Sequence, residues 1–318
     1  MRKTILGTNP IASFFLFLTF VLALGCDTQS RKAGEPYRIG VSMLSLQSEF
    51  VVNVRDAMEK YAPKDSVELL IVDAERNADK QVQQVESFIA RGVDAIILNP
   101  CEVEASSPAV DRARKAGIPV VNVNSETKSA PDAFVGSNDE ESAEIAIEHI
   151  AKLTGGNGNV LIIEGYIGQA AQIKRTSGAE RTLAKYPGLK VLAKQSAEWD
   201  RAKAMSLMEN WIQVHGSRID AVFAQNDEMG LGALQALEQA GLKNKVKVVS
   251  IDAIRDALDA VKDKRLDATV YQDAQGQGQG AVQAAISLIK TGKVEKKQVL
   301  IPFQLVTSDN VEGYLNRR

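Results

Sequence analysis

The most constraining feature of this 318-residue chain is a regular alternation of two kinds of segment. From Tyr37 onward, short apolar runs are followed by amphipathic stretches of helical length. Such alternation is typical of βαβ units, in which a helix connects each strand to a parallel neighbour. The sequence therefore predicts an α/β fold built on mainly parallel sheets.

Nine apolar runs are strand candidates, and they exceed what one sheet comfortably holds. They cover residues 38–43, 68–72, 95–98, 119–123, 159–163, 190–194, 220–224, 246–251 and 268–271. Helix candidates between them cover residues 79–90, 107–116, 140–153 and 201–214. Gly92, Gly117 and Gly241 follow helical stretches and are expected to end them in a left-handed conformation. The pattern predicts two doubly wound lobes, with a first crossover near residues 130–138.

The first 25 residues have the pattern of an export signal. Arg2 and Lys3 precede the uncharged run 11–24, which is shorter than the roughly 20 apolar residues that span a bilayer. The sequence LALGC, ending at Cys26, resembles the lipobox of bacterial lipoproteins. The resemblance implies cleavage before Cys26 and its acylation, with residues 26–36 as a tether. The alternatives are a secretory signal cut elsewhere and an uncleaved anchor.

Composition excludes several classes of function. The formal net charge of -2, without a long basic run or zinc-type Cys/His spacing, argues against a nucleic-acid partner. If Cys26 is acylated, Cys101 has no intramolecular partner, so no disulfide is expected. The two histidines, His149 and His215, leave little material for a metal site. We predict neither metal nor cofactor, and we see no nucleophile–base pair or poised carboxylates that would indicate an enzyme.

Polar side chains follow five of the nine strand candidates. They are Asn99, Asn124, Asn226, Asp252 and Gln272. Ligands of open parallel sheets bind outside the carboxyl ends of the strands. Amides both donate and accept hydrogen bonds, as hydroxyl groups do, so the set favours an uncharged polyhydroxylated ligand. Turn formation is the alternative explanation for any single one of these residues.

Three further side chains fit such a ligand. The planar guanidinium of Arg175 offers two parallel donors to ring or hydroxyl oxygens. Phe50 and Trp199 stand at loop-to-helix transitions, where an aromatic ring is free to stack on the C–H face of a sugar. Trp211 lies among apolar residues in mid-helix and is expected in the core.

At these residues the chain resembles the type I periplasmic sugar-binding proteins, above all the galactose/glucose and ribose binders. The similarity covers residues 37 to about 311. Its most specific segments are RIGV at 38–41, WDRA at 199–202, FAQNDEM at 223–229 and TVYQDA at 269–274. The resemblance implies two lobes joined by a three-segment hinge. It divides the chain into an N-terminal lobe of residues 37–137 plus 273–301 and a C-terminal lobe of 138–272 plus 302–318.

The resemblance also implies roles for the candidate residues. Phe50 and Trp199 would sandwich the sugar ring, and Arg175 would reach the ring oxygen or nearby hydroxyls. Hydroxyl groups would be bound by Asn99, Asn226 and Asp252. Gln272 would lie at the hinge. Asn124 stands where the ribose binder has an aspartate.

Four positions depart from the galactose/glucose binder. Ser48 and Leu44 replace an aspartate and a tyrosine, and Gln169 and Ala171 replace a histidine and an aspartate. The loss of two carboxylates argues against galactose or glucose, while Ser48 and Gln169 remain candidate ligand contacts. The run GQAAQI at 168–173 is similar to relatives that take inositol-like polyols. The calcium loop of the galactose binder is absent.

The resulting prediction is a monomeric, exported solute-binding protein. It would capture a neutral monosaccharide or cyclic polyol and deliver it to the permease of an ABC importer. It would act in the periplasm or at the outer face of the cytoplasmic membrane, anchored through Cys26. An exported sugar sensor feeding a chemoreceptor or histidine kinase is the main alternative. A transcription regulator of this fold would need an N-terminal DNA-binding helix pair where the signal segment stands. For the ligand, the alternatives are a pentose and an autoinducer sugar.

Overall fold

The computed structural model describes residues 1, 4, 34–64 and 66–317. Apart from residues 1 and 4, the predicted signal segment lies outside the described residues, as do Cys26 and the tether up to residue 33. Within the described ranges, no helix is both long enough and apolar enough to cross a membrane.

The described strands are short, as expected for a doubly wound fold. They are β1 (Tyr37–Met43), β2 (Val67–Asp73), β3 (Ala95–Leu98), β4 (Val120–Val123), β5 (Ala133–Gly136), β6 (Asn157–Glu164), β7 (Gly188–Ser196), β8 (Ala221–Ala224), β9 (Lys247–Asp252), β10 (Ala268–Tyr271), β11 (Gln298–Leu300) and β12 (Gln304–Val306). The helices are α1 (Glu49–Tyr61), α2 (Ala78–Ala90), α3 (Ser107–Lys115), α4 (Asp139–Thr154), α5 (Ala170–Leu183), α6 (Arg201–His215), α7 (Asp227–Gln239), α8 (Arg255–Lys262) and α9 (Ala274–Thr291).

These strands form two six-stranded sheets. One has the order β11-β5-β4-β3-β1-β2 and the other β12-β10-β9-β8-β6-β7. Pairing is parallel throughout, except that β12 runs antiparallel to β10. We call the part built on the first sheet the first lobe and the part built on the second sheet the second lobe. The predicted fold class, two parallel-sheet α/β lobes, is confirmed.

The chain passes between the lobes three times. It leaves β5 for α4 through residues 137–138, and it leaves β10 for α9 through residues 272–273. Helix α9 packs on α1 and on the first sheet, so it belongs to the first lobe. The third passage, residues 301–303, joins β11 to β12. The second lobe is therefore made of the middle of the chain and its C-terminal end.

All nine predicted strands and the four predicted helices are present, with shifted ends. Gly92, Gly117 and Gly241 have φ angles of 61°, 77° and 69°, which confirms the left-handed helix ends. Trp211 is buried in α6, as expected. Strands β5, β11 and β12 were not predicted from the sequence. They are three or four residues long, and β11 is exposed along its whole length, so pairing with distant strands rather than a local pattern defines them.

Candidate functional site

One cavity lies where residues that follow the strands of both sheets meet. Its walls come from the loops after β1, β2 and β4 of the first lobe and after β6 to β10 of the second. The lining residues are Leu44, Ser45, Ser48, Phe50, Val51, Arg76, Asn124, Gln169, Ala171, Arg175, Trp199, Asn226, Asp252 and Gln272. Its free volume is about 40 Å³, room for only a few water molecules.

The structure brings nine of the ten candidate binding residues to this cavity. They are Ser48, Phe50, Asn124, Gln169, Arg175, Trp199, Asn226, Asp252 and Gln272. Asn99 is outside the lining and only 1% exposed. Its Nδ2 donates to the Val123 carbonyl at 3.2 Å and to Asn124 Oδ1 at 3.4 Å, and its Oδ1 accepts from Leu44 N at 3.2 Å. Asn99 thus lies behind the cavity wall and supports Asn124.

Arg175 lies at the centre of a buried network in the second lobe. Helix α5 places its guanidinium, 3% exposed, against the first and second passages between the lobes. Nε donates to Asp139 Oδ1 at 3.0 Å, and Nη2 donates to Gln272 Oε1 at 3.0 Å. Nη1 donates to the Gln225 carbonyl and lies 3.8 Å from Asp252 Oδ1. The guanidinium is therefore fixed by protein groups in its cavity-lining position.

Burial dominates the ionisation of the carboxylates around Arg175. It raises the pKa of Asp252 well above its usual value, although the Arg175 charge acts in the opposite direction. Burial also raises the pKa of Asp139, again against the charge and hydrogen bond of Arg175. The pKa of Asp227 is raised by burial to about 7, despite hydrogen bonds that lower it. A low-dielectric environment of this kind strengthens hydrogen bonds to a ligand that excludes water.

Asp227 holds the loop that presents Asp252. Its Oδ1 accepts from Thr269 Oγ1 at 2.7 Å and from the Ser250 hydroxyl, and its Oδ2 accepts from Ile254 N at 2.9 Å. Asp252 itself has a φ angle of 128°, an unfavourable conformation for a residue with a side chain. The hydrogen bonds of Asp227 therefore stabilise a loop shape that the local sequence disfavours.

The two aromatic residues reach the cavity in different ways. Phe50 lies in the first turn of α1. Trp199 precedes α6 with a φ angle of 62°, and its ring lies over Gly165, where an added Cβ would come within 1.9 Å of Trp199 Cζ2. The Arg175 guanidinium carbon is 5.8 Å from the centroid of the Trp199 ring, within cation–π range. This side of the cavity thus presents the flat ring of Trp199 next to the charged guanidinium of Arg175.

Several polar atoms of the lining lack a hydrogen-bond partner. Among the described residues these include Gln169 Oε1, Trp199 Nε1 and Gln272 Nε2, all of them buried. An unpaired buried polar group costs about 1–3 kcal/mol. A ligand with hydroxyl groups would satisfy both the acceptor and the two donors.

Asn226 has a structural role as well as a place in the lining. Its Oδ1 accepts from Met229 N at 3.0 Å and caps α7. The alternative explanation, a local structural role, is therefore correct for the side-chain oxygen of Asn226. Its amide nitrogen takes part in no hydrogen bond within the described residues and remains available as a donor.

Positive φ angles are concentrated at the cavity. Of the eight described non-glycine residues with positive φ, four line it, namely Arg76, Asn124, Trp199 and Asp252. Such conformations are costly and persist where surrounding contacts enforce them, which is common at binding sites. These backbone conformations could not be predicted from the sequence, since none of the four residues is glycine.

Sequence reasoning missed several residues of the site, including the lining residues Ser45 and Val51. Asp139, Gln225 and Asp227 are buried partners that position Arg175 or Asp252. Asp139 follows the first passage between lobes. Gln225 directly follows β8, so the strand-end rule taken strictly selects it. Arg76 lies three residues beyond the end of β2, which is too far along the turn for that rule.

The lobes also contact each other directly beside the cavity. Val103 N donates to the Gly168 carbonyl at 3.0 Å, and Lys174 Nζ lies 2.6 Å from Glu126 Oε2. On another side, Arg255 N donates to Glu49 Oε1 at 3.2 Å. The lobes are thus in a closed arrangement, held by contacts that a ligand does not supply.

The groups that line the cavity are suited to binding a ligand. It presents amides, one carboxyl group, a fixed guanidinium and two rings. No group of three or more His, Cys, Asp or Glu side chains in the described ranges is arranged to hold a metal ion. Burial raises the pKa of Cys101 to about 12, so its thiol is protonated and unreactive near neutral pH.

Comparison with known proteins agrees with this geometry. Residues 39–293 match the family described as periplasmic binding protein domain. The chain is 39% identical over 304 residues to a putative rhizopine-binding protein of Rhizobium meliloti, covering 93% of this chain and 98% of that protein. It is 38% identical over 277 residues to a xylitol-binding protein of Mycolicibacterium smegmatis, covering 86% of this chain and 78% of that protein.

One solved structure is similar to this chain in both sequence and fold. An ABC transporter solute-binding protein from Bacillus halodurans with bound myo-inositol is 40% identical and has a TM-score of 0.85. The match covers 90% of this chain and 99% of that one.

Proposed function

This chain belongs to the periplasmic binding protein family, and we propose that it captures a cyclic polyol or neutral monosaccharide between its lobes and delivers it to an ABC importer. It is a solute-binding protein of the sugar and polyol class. Proteins of this family bind substrates rather than convert them. Import also fits its relatives better than the sensor alternative does.

The observation that supports the proposal most strongly is the convergence of one polar set on one cavity. Amides from strand ends, the Arg175 guanidinium and the Trp199 ring all line it. Three of its buried polar atoms have no protein partner among the described residues. This combination suits a small ligand with many hydroxyl groups and an apolar ring face.

We assign the roles as follows. Phe50 and Trp199 contact the two faces of the ring. Arg175 donates to a ring or hydroxyl oxygen. The remaining polar contacts come from Ser48, Asn124, Gln169, Asn226, Asp252 and Gln272. Asn99 acts from behind the wall by positioning Asn124.

A cyclic polyol is our first choice of ligand. Ser48 and Ala171 stand where the galactose/glucose binder has two aspartates, so the cavity has fewer carboxylates than that binder. The relative that shares 40% of its residues was solved with myo-inositol. Ligand contacts from both lobes would favour the closed state, because a ligand shifts such a balance only through its differential affinity for the two states.

The protein is exported. We propose that it is held at the membrane through acylated Cys26, acts as a monomer, and divides into lobes of 37–137 plus 273–301 and 138–272 plus 302–318. The boundaries are supported by the passages at residues 137–138, 272–273 and 301–303.

A thermal-shift screen over inositols, pentoses, hexoses and sugar alcohols tests the proposed function. A true ligand at 100 times its Kd should add about 2.7 kcal/mol to the free energy of unfolding. Calorimetry on the best ligand gives Kd, and chromatography of the mixture should recover the ligand unchanged. If no polyol or sugar shifts the midpoint, or if the ligand is chemically converted, the proposal is wrong.

A further inference from the structure

A second arginine, Arg76, lies at the cavity in the first lobe. It follows β2 and lines the same cavity as Arg175, with its side chain half-buried. Within the described ranges, its guanidinium takes part in no hydrogen bond or ion pair. By contrast, Arg175 is bonded to Asp139, Gln225 and Gln272. The two arginines at the site thus differ, because the Arg175 guanidinium has three protein partners and the Arg76 guanidinium has none among the described residues.

Two acidic residues near Arg76 in sequence, Glu75 and Asp73, make contacts with other groups. Glu75 Oε1 lies 2.9 Å from Lys80 Nζ, and Asp73 Oδ1 accepts from Glu75 N at 2.8 Å. The Asn77 side chain accepts from Lys80 N and caps α2. Neither of these two carboxylates forms an ion pair with the Arg76 guanidinium.

The backbone of this turn is fixed in an unusual shape. Glu75 and Arg76 have φ angles of 54° and 61°. Arg76 N donates to the Leu44 carbonyl at 2.8 Å, and Leu44 also lines the cavity. Two consecutive left-handed non-glycine residues are unfavourable, so the turn is retained only because its contacts enforce it. Those contacts bring Arg76 to the edge of the binding cavity.

We propose that Arg76 is a ligand-binding residue that donates hydrogen bonds from the first lobe to hydroxyl oxygens of the polyol and selects against ligands with a cationic amine at that position. The inference rests on the proposed function and extends it to specificity. A guanidinium has five donors and no acceptor, and it stays charged at all relevant pH values. The ligand atom beside it must therefore offer a lone pair. A hydroxyl group does so and an ammonium group does not.

The test uses calorimetry on the mature protein with myo-inositol and with singly amino-substituted inositols. Arg76→Ala should weaken myo-inositol binding at least 10-fold, and Arg76→Lys should be intermediate, since it keeps the charge but loses the planar fork. The ratio of Kd values for the disfavoured amino-inositol and myo-inositol should fall at least 5-fold in Arg76→Ala. Arg91→Ala is the matched control, because Arg91 is an exposed arginine of the same lobe outside the cavity. It should behave as wild type.

Unchanged myo-inositol affinity in Arg76→Ala would overturn the inference alone, provided that the wild-type protein binds. Weaker binding with an unchanged ratio between amino-inositol and myo-inositol would also overturn it, because Arg76 would then act on lobe closure. If the wild type binds none of these inositols but binds a sugar in the thermal-shift screen, the inference fails and the proposed function stands. If it binds no polyol or sugar of that screen, both fail. Equal thermal midpoints of the free variants show that lost binding is not lost folding.

Discussion

The two lobes contribute to the same cavity in different ways. The second lobe presents a network centred on Arg175, Asp139 and Asp252, together with three buried lining atoms that have no hydrogen-bond partner among the described residues. The first lobe presents mainly neutral side chains. Asn99 supports Asn124 from behind, and the Arg76 guanidinium has no partner within the part of the chain that the structure describes. The strongly raised carboxylate pKa values at the site, those of Asp227 and Asp252, also belong to the second lobe.

This difference bears on affinity. A preorganised wall binds with little loss of conformational freedom, and most of the polar side chains that line the cavity belong to the second lobe. Variants of the second lobe should therefore lose more affinity than matched variants of the first.

The largest effect is expected for Arg175. Arg175→Ala should weaken polyol binding by about 2–4 kcal/mol, because it leaves Asp139 and Gln272 without their partner in a dry cavity. Calorimetry measures the change. Arg175→Lys should recover little, since an ammonium group cannot reach three partners in the geometry of a guanidinium. If Arg175→Ala binds the polyol with an affinity close to that of the wild type, the second lobe does not contribute most of the binding free energy.

The pH dependence of stability should reside mainly in the second lobe. The folded protein binds a proton on Asp227 more tightly than the unfolded chain, because its pKa is raised to about 7. The associated stability is fully present at low pH and is lost as the pH rises through 7. Wild type should therefore lose about 2 kcal/mol of unfolding free energy between pH 5 and pH 7 through this group. Asp227→Asn should remove that part of the slope in urea titrations.

Asp309→Asn is the control for this titration, because Asp309 is an exposed aspartate of the second lobe. It should keep the wild-type slope. If Asp227→Asn also kept it, Asp227 would be ionised throughout the range, and its hydrogen bonds would outweigh its burial.

A smaller effect is expected for the support behind the first-lobe wall. Asn99→Ala should cost about 1–2 kcal/mol of binding free energy, because Asn124 loses the amide that positions it. A double-mutant cycle with Asn124→Ala distinguishes positioning from direct contact. We expect the double variant to lose little more than Asn124→Ala alone, and strictly additive losses would contradict the supporting role.

The smallest effect is expected for the direct contact between lobes. Lys174 and Glu126 are about one-third exposed, so their pair should contribute about 0.2–1 kcal/mol to closure. Lys174→Ala should raise the ligand dissociation rate up to about 5-fold in stopped-flow fluorescence, and added salt should reduce the difference. Neutralising Lys262, paired with Glu312 within the second lobe, should leave the rate unchanged.

Much of the site could be predicted because of one simple rule. In parallel sheets the carboxyl ends of the strands meet at one edge, so inspecting strand ends led to Asn124, Asn226, Asp252 and Gln272. The rule fails for side chains that serve the site indirectly. It placed Asn99 in contact with ligand, and it gave no reason to select Asp139, which lies 36 residues from the arginine that it holds.

The sequence by itself determined the two-lobed α/β architecture and the chemical character of the site, because apolar periodicity and strand-end residues are local properties of the chain. Only the tertiary structure decided that the Arg175 guanidinium has three protein partners and that the Arg76 guanidinium has none among the described residues. Those outcomes depend on the packing of segments far apart in sequence, such as Arg175 against both Asp139 and Gln272. The left-handed conformations of Arg76, Asn124, Trp199 and Asp252 have the same origin, since surrounding contacts overcome their local preference.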